Sequence, residues 1–108
     1  MQPSDYLTTI RYIIKLYDNM LKPICEEYQL TLIEANIISF LYYNPGKDTA
    51  KEIVEIRMLS KGNVSQAVEA LIQKSLLKGY QDTRDRRKIH LLLHPETKVI
   101  TQAMEIVH

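Results

Sequence analysis

The highest density of charge in this sequence is in residues 82–88, DTRDRRK, which lie between the apolar segments LLKGY and IHLLL. The cations of this run are Arg84, Arg86, Arg87 and Lys88. An arginine side chain donates parallel hydrogen bonds to phosphate oxygens and is attracted to narrow A·T minor grooves, so the run could bind nucleic acid. Because a carboxylate repels phosphate, we expect Asp85, together with Asp82, to pair with neighbouring arginines and hold them in position. The alternative is a charged loop that is merely solvated.

A second group of polar side chains lies at the start of a helix predicted at 61–74, for which Ser60 is a suitable N-cap. Apolar residues recur there at helical spacing, namely Val64, Ala67, Val68, Leu71 and Ile72. The polar, outward-facing positions are Ser60, Lys61, Asn63, Ser65 and Gln66. Asn and Gln can pair bidentately with adenine, and Ser can bond to several bases. These residues could equally do no more than cap and solvate the start of the helix.

Three further helices are predicted before this one. The first covers 4–28, with Ser4 as its N-cap and Pro23 expected to kink or weaken its last turns. A second helix opens at Thr31, where Glu34 completes a capping box, and it ends before YNPGKD. Its predicted inner face consists of Ile33, Ile37, Ile38, Leu41 and Tyr42. A short helix follows at about 49–57.

After residue 74 the pattern changes to two short strands, LLKGYQ and KIHLLL, which form a hairpin with the charged run at its tip. Pro95 then begins a last helix, with His94 as its cap. A short helix, a tight connection, a second helix and a hairpin predict a winged helix-turn-helix, a mainly α (α+β) fold. In such a motif the second helix lies in the DNA major groove and the hairpin, or wing, lies beside it. Double-stranded DNA is therefore the expected partner.

Length and composition restrict the other classes of function. The chain has 108 residues, which suits one domain, and a net charge of +1. Residues 51–90 hold nine Lys or Arg against five Asp or Glu, so a local positive field is concentrated there. No apolar run is long enough to cross a bilayer, and the single cysteine fits a reducing cytoplasm. No phosphate-binding glycine loop, nucleophile elbow or metal-ligand cluster indicates an enzyme or a bound cofactor.

The first predicted helix carries more apolar surface than a core of this size can cover. Its stripe comprises Tyr6, Leu7, Ile10, Ile13, Ile14, Tyr17, Met20, Leu21 and Ile24. We therefore expect part of the stripe to contact a second copy of the chain.

The run from LTLIEANIISFLYYNPG through the hairpin resembles the MarR family of bacterial transcription regulators, most specifically in NVSQAVEAL and DTRDRRK. The resemblance implies a single winged-helix domain over 1–108, with a DNA-binding core at 30–93 and dimerisation helices at 1–28 and 95–108. It implies a homodimer that binds a near-palindromic operator, most often as a repressor. The base-facing residues would be Asn63, Ser65 and Gln66, and the wing contacts Arg84, Arg86 and Arg87, with Asp85 as the orienting acid. Ser75 stands where the family usually has glycine.

Several other interpretations remain open. A winged-helix protein-interaction module without sequence-specific DNA binding is the main alternative function. Cys25 could sense redox state, and His90, His94 and His108 could contribute to a metal site, as in some members of the family. Tyrosines of the first helix, among them Tyr6, Tyr12 and Tyr17, could line a pocket for a small-molecule effector, although a role in the core or interface is commoner.

Overall fold

The structure is a computed structural model that describes residues 3–107, and the side chains of residues 5–106. The first helix begins at Pro3, so Ser4 lies inside it and not at the predicted N-cap position. The side chains of Ser4 and Val107 are outside the described set, as is the whole of His108. The helices are α1 (Pro3–Tyr28), α2 (Leu32–Tyr43), α3 (Ala50–Arg57), α4 (Lys61–Gln73) and α5 (Lys98–Val107). The strands are β1 (Leu77–Gln81) and β2 (Ile89–Leu93), which pair in antiparallel register from Leu77 opposite Leu93 to Gln81 opposite Ile89. The predicted mainly helical, winged fold is confirmed.

Short-range hydrogen bonds fix where the helices begin. In α2 the N–H of Glu34 donates to Oγ1 of Thr31, and the N–H of Thr31 donates to Oε1 of Glu34 over 2.7 Å. This is the predicted capping box. A second box joins Thr49 and Glu52 at the start of α3. It was not predicted, although the sequence has the required spacing there.

The last helix begins later than predicted. Residues Pro95–Thr97 form a 3₁₀ turn, and α5 starts at Lys98. His94 occupies the N-cap position of this turn, as predicted, but its side chain makes no capping hydrogen bond. Its carbonyl oxygen instead accepts hydrogen bonds from the N–H of Thr97 and from the Thr97 hydroxyl. The bond from the Thr97 N–H is the three-residue hydrogen bond of the 3₁₀ turn itself.

The core is built around α2, which is buried at every position from Glu34 to Phe40. It contacts α1, α4, α5 and β2, so a single inner face does not describe it. Of the five predicted inner residues, Ile37 and Ile38 are fully buried, whereas the other three are only half-buried. The remaining core side chains are Leu21, Ile24, Leu30, Ile53, Val64, Ala67, Leu71, Leu77, Leu91, Ile100 and Met104.

The apolar stripe of α1 divides into two parts. Leu21 and Ile24, near the end of the helix, are buried, and the helix continues through Pro23 to Tyr28. The earlier part is exposed, with Tyr6, Leu7, Ile10, Ile13, Ile14 and Met20 all facing away from the core. The chain thus leaves a row of large apolar side chains without cover from its own described residues.

Candidate nucleic-acid interface

The helix-turn-helix is formed by α3 and α4 with a three-residue turn, Met58–Ser60. Met58 adopts the left-handed conformation with φ of 53° and so ends α3. Ser60 then begins α4, since its hydroxyl oxygen accepts the N–H of Asn63 over 3.1 Å, as predicted. The turn is tight because a left-handed residue reverses the chain and a cap restarts the helix two residues later.

α4 presents one apolar face and one polar face. Val64, Ala67 and Leu71 are buried against the core, whereas Ile72, predicted to lie on the same face, is 42% exposed. The five polar residues predicted to contact DNA are all exposed, namely Ser60, Lys61, Asn63, Ser65 and Gln66. A Cβ added at Gly62 would meet no atom within 4 Å, so the first turn of α4 faces open space. A ligand as large as a DNA duplex could therefore approach it directly.

The hairpin tip carries four exposed cations, Arg84, Arg86, Arg87 and Lys88. Two backbone hydrogen bonds close the tip: the N–H of Asp82 donates to the carbonyl of Lys88, and the N–H of Lys88 donates to the carbonyl of Asp85. The cations are thus held on one short, closed turn at the end of the sheet.

The two aspartates of the tip have different contacts. Oδ1 of Asp85 lies 3.4 Å from Nε of Arg87 and accepts the Arg87 N–H over 3.0 Å. The expected pairing of Asp85 with an arginine is therefore present, although the pair is exposed and so contributes little to stability. Asp82 pairs with no arginine side chain among residues 5–106, contrary to expectation. Its Oδ2 accepts the N–H groups of Arg84 and Asp85, both over 2.9 Å.

The other carboxylate oxygen of Asp82, Oδ1, contacts the ring of His90. Its Nε2 lies 2.8 Å from Oδ1 of Asp82, and its Nδ1 lies 2.7 Å from Oδ1 of Asp48 in the loop before α3. The hydrogen bond to Asp48 is the larger cause, and that to Asp82 the second, of a raised pKa of His90. The bond to His90 in turn lowers the pKa of Asp82. Neither contact was predicted. Asp48 is 42 residues from His90, so no local sequence signal links them.

The metal-site and redox alternatives receive no support from these contacts. Both ring nitrogens of His90 are hydrogen-bonded to carboxylates, and no three His, Cys, Asp or Glu side chains among residues 5–106 are arranged so that they could hold a metal ion. Burial raises the pKa of the Cys25 thiol, which lowers the fraction of thiolate available for oxidation. Its Sγ lies 3.7 Å from the carbonyl oxygen of Thr31.

A small, mainly apolar pocket of about 230 Å³ lies between α1, α2 and the end of α3. Ile13, Leu32 and Ile33 line it, together with Tyr17 and Arg57. The Arg57 guanidinium lies 5.0 Å from the centroid of the Tyr17 ring, and the Tyr17 hydroxyl is hydrogen-bonded to that of Ser39. Of the three tyrosines considered, only Tyr17 lines this pocket, and the other two are exposed.

Comparison with known proteins agrees with this architecture. The MarR family model matches residues 28–88, which is more than half of the chain and includes the helix-turn-helix and the wing tip. This chain belongs to the MarR family. The match confirms the resemblance noted from NVSQAVEAL and DTRDRRK. No curated protein sequence is significantly similar to the chain.

Several solved structures share the fold. The DNA complex of S. aureus MepR is 18% identical with a TM-score of 0.72, covering 99% of this chain and 77% of that one. The BpsR regulator of Bordetella bronchiseptica, whose DNA binding is regulated by 6-hydroxynicotinic acid, is 18% identical with a TM-score of 0.70 and coverage of 95% and 77%. YusO of Bacillus subtilis is 21% identical with a TM-score of 0.69 and coverage of 96% and 73%. At these identities the likeness establishes the fold alone. No helix in the described part of the chain has the length and apolar character needed to span a membrane.

Proposed function

We propose that this MarR-family protein is a transcriptional regulator that binds double-stranded DNA in the cytoplasm, with α4 in the major groove and the hairpin tip along the sugar-phosphate backbone. The proposal rests on two exposed surfaces of the same winged helix-turn-helix, the start of α4 and the tip of the hairpin. The polar start of α4 is open to solvent, and the hairpin that follows it ends in four exposed cations. The first surface suits base edges and the second suits phosphates.

Different residues have different roles in this proposal. Asn63 and Gln66 supply amides for adenine, and Ser65 supplies a small hydroxyl for several bases. Ser60 caps the helix, and Lys61 contacts phosphate near the helix start. In the wing, Arg84, Arg86 and Lys88 bind the backbone or the minor groove, while Asp85 orients Arg87.

The protein acts as a homodimer on a near-palindromic operator, and it represses transcription where the operator overlaps a promoter. Support for the dimer comes from the exposed apolar half of α1 and from α5, where Val99 is 53% exposed and Ile106 is 85% exposed. Large apolar side chains exposed in a row on a helix are typical of protein interfaces. Two-fold symmetry would place two copies of α4 in successive major grooves, and operator palindromy reflects that symmetry.

A salt titration tests DNA binding. The DNA is first selected from a random-sequence duplex pool, and affinity for the selected duplex is then measured between about 50 and 200 mM salt. We expect a steep linear fall of log affinity with log salt, since each phosphate contact releases counterions. A chain that enriches no duplex, or that binds every duplex equally, would favour the alternative of a protein-interaction module.

The dimer is tested by solution mass. Ile10 is 43% exposed on the apolar stripe of α1, and the change Ile10→Glu would place a charge there. We expect the wild-type chain to have the solution mass of a dimer and the Ile10→Glu variant that of a monomer. The Lys15→Glu variant, changed on the opposite face of α1, is the control and should remain a dimer. A wild-type chain that is still a monomer when bound to selected DNA would contradict the proposed dimer.

The pocket beside Arg57 supports a second proposal, a small-molecule effector. Its wall is mostly apolar, and its polar lining groups include the Arg57 guanidinium, the Asp18 carboxylate and the Asn36 amide. The guanidinium is the group that could bind an acidic group of the ligand. The pocket joins α1 to α2 and to the end of α3, so occupation would couple the dimer helix to the DNA-binding helices. Calorimetric titration with 6-hydroxynicotinic acid, using benzamide as a neutral aromatic control, tests the preference for an acid at this site. Equal binding of both compounds, or of neither, would exclude an aromatic acid of this size.

A further inference from the structure

Three titratable side chains from separate parts of the chain meet where the hairpin joins the body of the protein. His90 comes from β2, Asp82 from the first position of the hairpin tip and Asp48 from the loop between α2 and α3. The imidazole lies between the two carboxylates, with nitrogen-to-oxygen distances of 2.7 Å to Asp48 and 2.8 Å to Asp82. Tyr80 of β1 covers one face of the ring, with the two ring centroids 5.1 Å apart. We call these three residues, Asp48, Asp82 and His90, the wing clamp.

The geometry of the wing clamp selects one protonation state of the ring. A neutral imidazole has one N–H, so one of its nitrogens would direct a lone pair at a carboxylate oxygen. An imidazolium donates from both nitrogens and places a positive charge between two negative ones. Among the described residues, the titratable side chains in contact with the His90 ring are the Asp48 and Asp82 carboxylates and the Tyr80 ring, and the two carboxylates are the charged groups hydrogen-bonded to it. The cations of the tip begin two positions away, at Lys88.

The clamp is connected directly to the cationic tip. The oxygen of Asp82 that does not face His90 accepts the backbone N–H groups of Arg84 and Asp85. Asp85 in turn contacts Arg87. On the other side, Asp48 is joined to β2 by a second bond, since its carbonyl oxygen accepts the N–H of Leu91 over 2.8 Å. One ring therefore links the loop that precedes the helix-turn-helix to the backbone of the turn that carries the arginines.

We propose that His90, as an imidazolium between Asp48 and Asp82, is a positioning residue that orients the wing for DNA, so that DNA binding weakens when the ring loses its proton. This inference rests on the proposed DNA binding of the wing. Loss of the proton removes one N–H and leaves two carboxylates around a neutral ring. A neutral ring donates to only one of the two carboxylates, so the link between Asp48 and Asp82 is broken on one side. The arginine-bearing turn then gains freedom that DNA binding must remove again.

The direction of the pH dependence follows from linkage. Hydrogen bonds to Asp48 and Asp82 raise the pKa of His90 in the folded chain above its ordinary value of about 6.5. The clamp is therefore complete below about pH 6.5, and it is lost as pH rises through the higher folded-state pKa. Affinity for DNA should follow the same curve.

Two measurements on the full chain test the proposal. Ring-nitrogen chemical shifts of His90 are followed by NMR between about pH 5.5 and 9, and affinity for a selected duplex is measured over the same range at constant salt. We expect His90 to lose its proton above about pH 6.5, and affinity to fall by about fivefold or more as that signal titrates, the lower end of typical couplings between sites. His90→Gln should bind more weakly at low pH and lose the pH dependence. His94→Gln is the matched control, because His94 lies outside the clamp, and it should keep the wild-type curve.

The outcomes separate this inference from the DNA-binding proposal. A His90 that titrates at or below about 6.5, or a His90→Gln variant with the wild-type pH curve, would overturn the clamp. If the chain bound no DNA under any condition, the proposed function would fail, and backbone order parameters of residues 83–88 would still decide the clamp. Order parameters that fall as His90 loses its proton support it, and order parameters that stay constant overturn it.

Discussion

The Nζ of Lys74 lies 2.8 Å from Oε1 and 3.0 Å from Oε2 of Glu34, so the end of α4 is tied to the first turn of α2. The same ammonium donates to the carbonyl oxygen of Gln29 over 3.1 Å. The Glu34 side chain is only 2% exposed, whereas that of Lys74 is 40% exposed. The contact therefore neutralises a buried carboxylate, and it fixes the C-terminal end of the helix whose start is proposed to bind DNA.

Removing the ammonium should destabilise the fold. In Lys74→Met the buried carboxylate of Glu34 keeps only its bonds within the capping box. We expect a loss of about 1–2 kcal/mol in the free energy of unfolding, the range for a buried charged group deprived of a partner that is itself partly solvated. Chemical denaturation measures the change. Lys78→Met, at an exposed position of β1, is the matched control and should stay within about 0.5 kcal/mol of wild type. An equal effect of the two variants would contradict a role for the pair.

The same pair predicts how stability responds to acid. Burial raises the pKa of Glu34, but hydrogen bonds from Lys74 and Thr31 lower it by more than burial raises it, so the net shift is downward. A lowered folded-state pKa adds stability that is present above the unfolded value of about 4.3 and is lost as pH falls through the folded value. The stability difference between wild type and Glu34→Gln should therefore shrink between about pH 6 and pH 3. A difference that is constant with pH would show that Glu34 does not titrate in this way.

Ser75 is strained where the chain leaves α4. Its φ is 61°, and the N–H of Leu76 donates to the carbonyl of Leu71, which is the usual bonding where glycine ends a helix. The substitution Ser75→Gly should raise the free energy of unfolding by about 0.5–1 kcal/mol, because glycine adopts this conformation without the Cβ clash. Ser65→Gly, the same change inside α4, should lower it by about 0.5–1 kcal/mol. A loss of stability in Ser75→Gly would contradict the argument.

The wing arginines should set affinity without setting sequence preference. Arg86→Ala removes an exposed cation from the hairpin tip, so binding to selected and random duplexes should weaken by a similar factor, and the salt slope should fall by about one. Fluorescence anisotropy with both duplexes measures the effect. Arg11→Ala removes the same charge from α1 and should leave the salt slope unchanged. Unaltered affinity in Arg86→Ala would remove this residue from the interface.

The amides at the start of α4 should set sequence preference. Changing Asn63 or Gln66 to Ala should reduce discrimination between the selected duplex and its single-base variants by about 1–3 kcal/mol at the contacted position. Gln73→Ala is the matched control at the other end of the helix, where Gln73 is also exposed. Preference that survives both changes, or that is lost equally in Gln73→Ala, would mean that the start of α4 does not read bases.

The helices, the hairpin and the exposure of all ten candidate DNA-binding residues could be predicted from residue pattern. The side-chain roles within the site could be predicted only in part. The contact between Asp85 and Arg87 spans two residues and was expected, whereas Asp82 turns away from the arginines to the tip backbone and to His90. Ile72 shows a similar difference, because helical spacing indicates a face but only packing decides where that face ends.

The sequence alone determined the elements of this protein, since helix caps such as Thr31 with Glu34, and turn residues, act through hydrogen bonds within four positions. Only the tertiary structure decided which charges from distant segments meet. The partners of Glu34 and His90 are Lys74 and Asp48, which are 40 and 42 residues away. Such pairs form because burying the core brings distant segments together, and a charge at that boundary must find a partner or remain in water. The spacing of residues along the chain does not indicate which distant charges will pair.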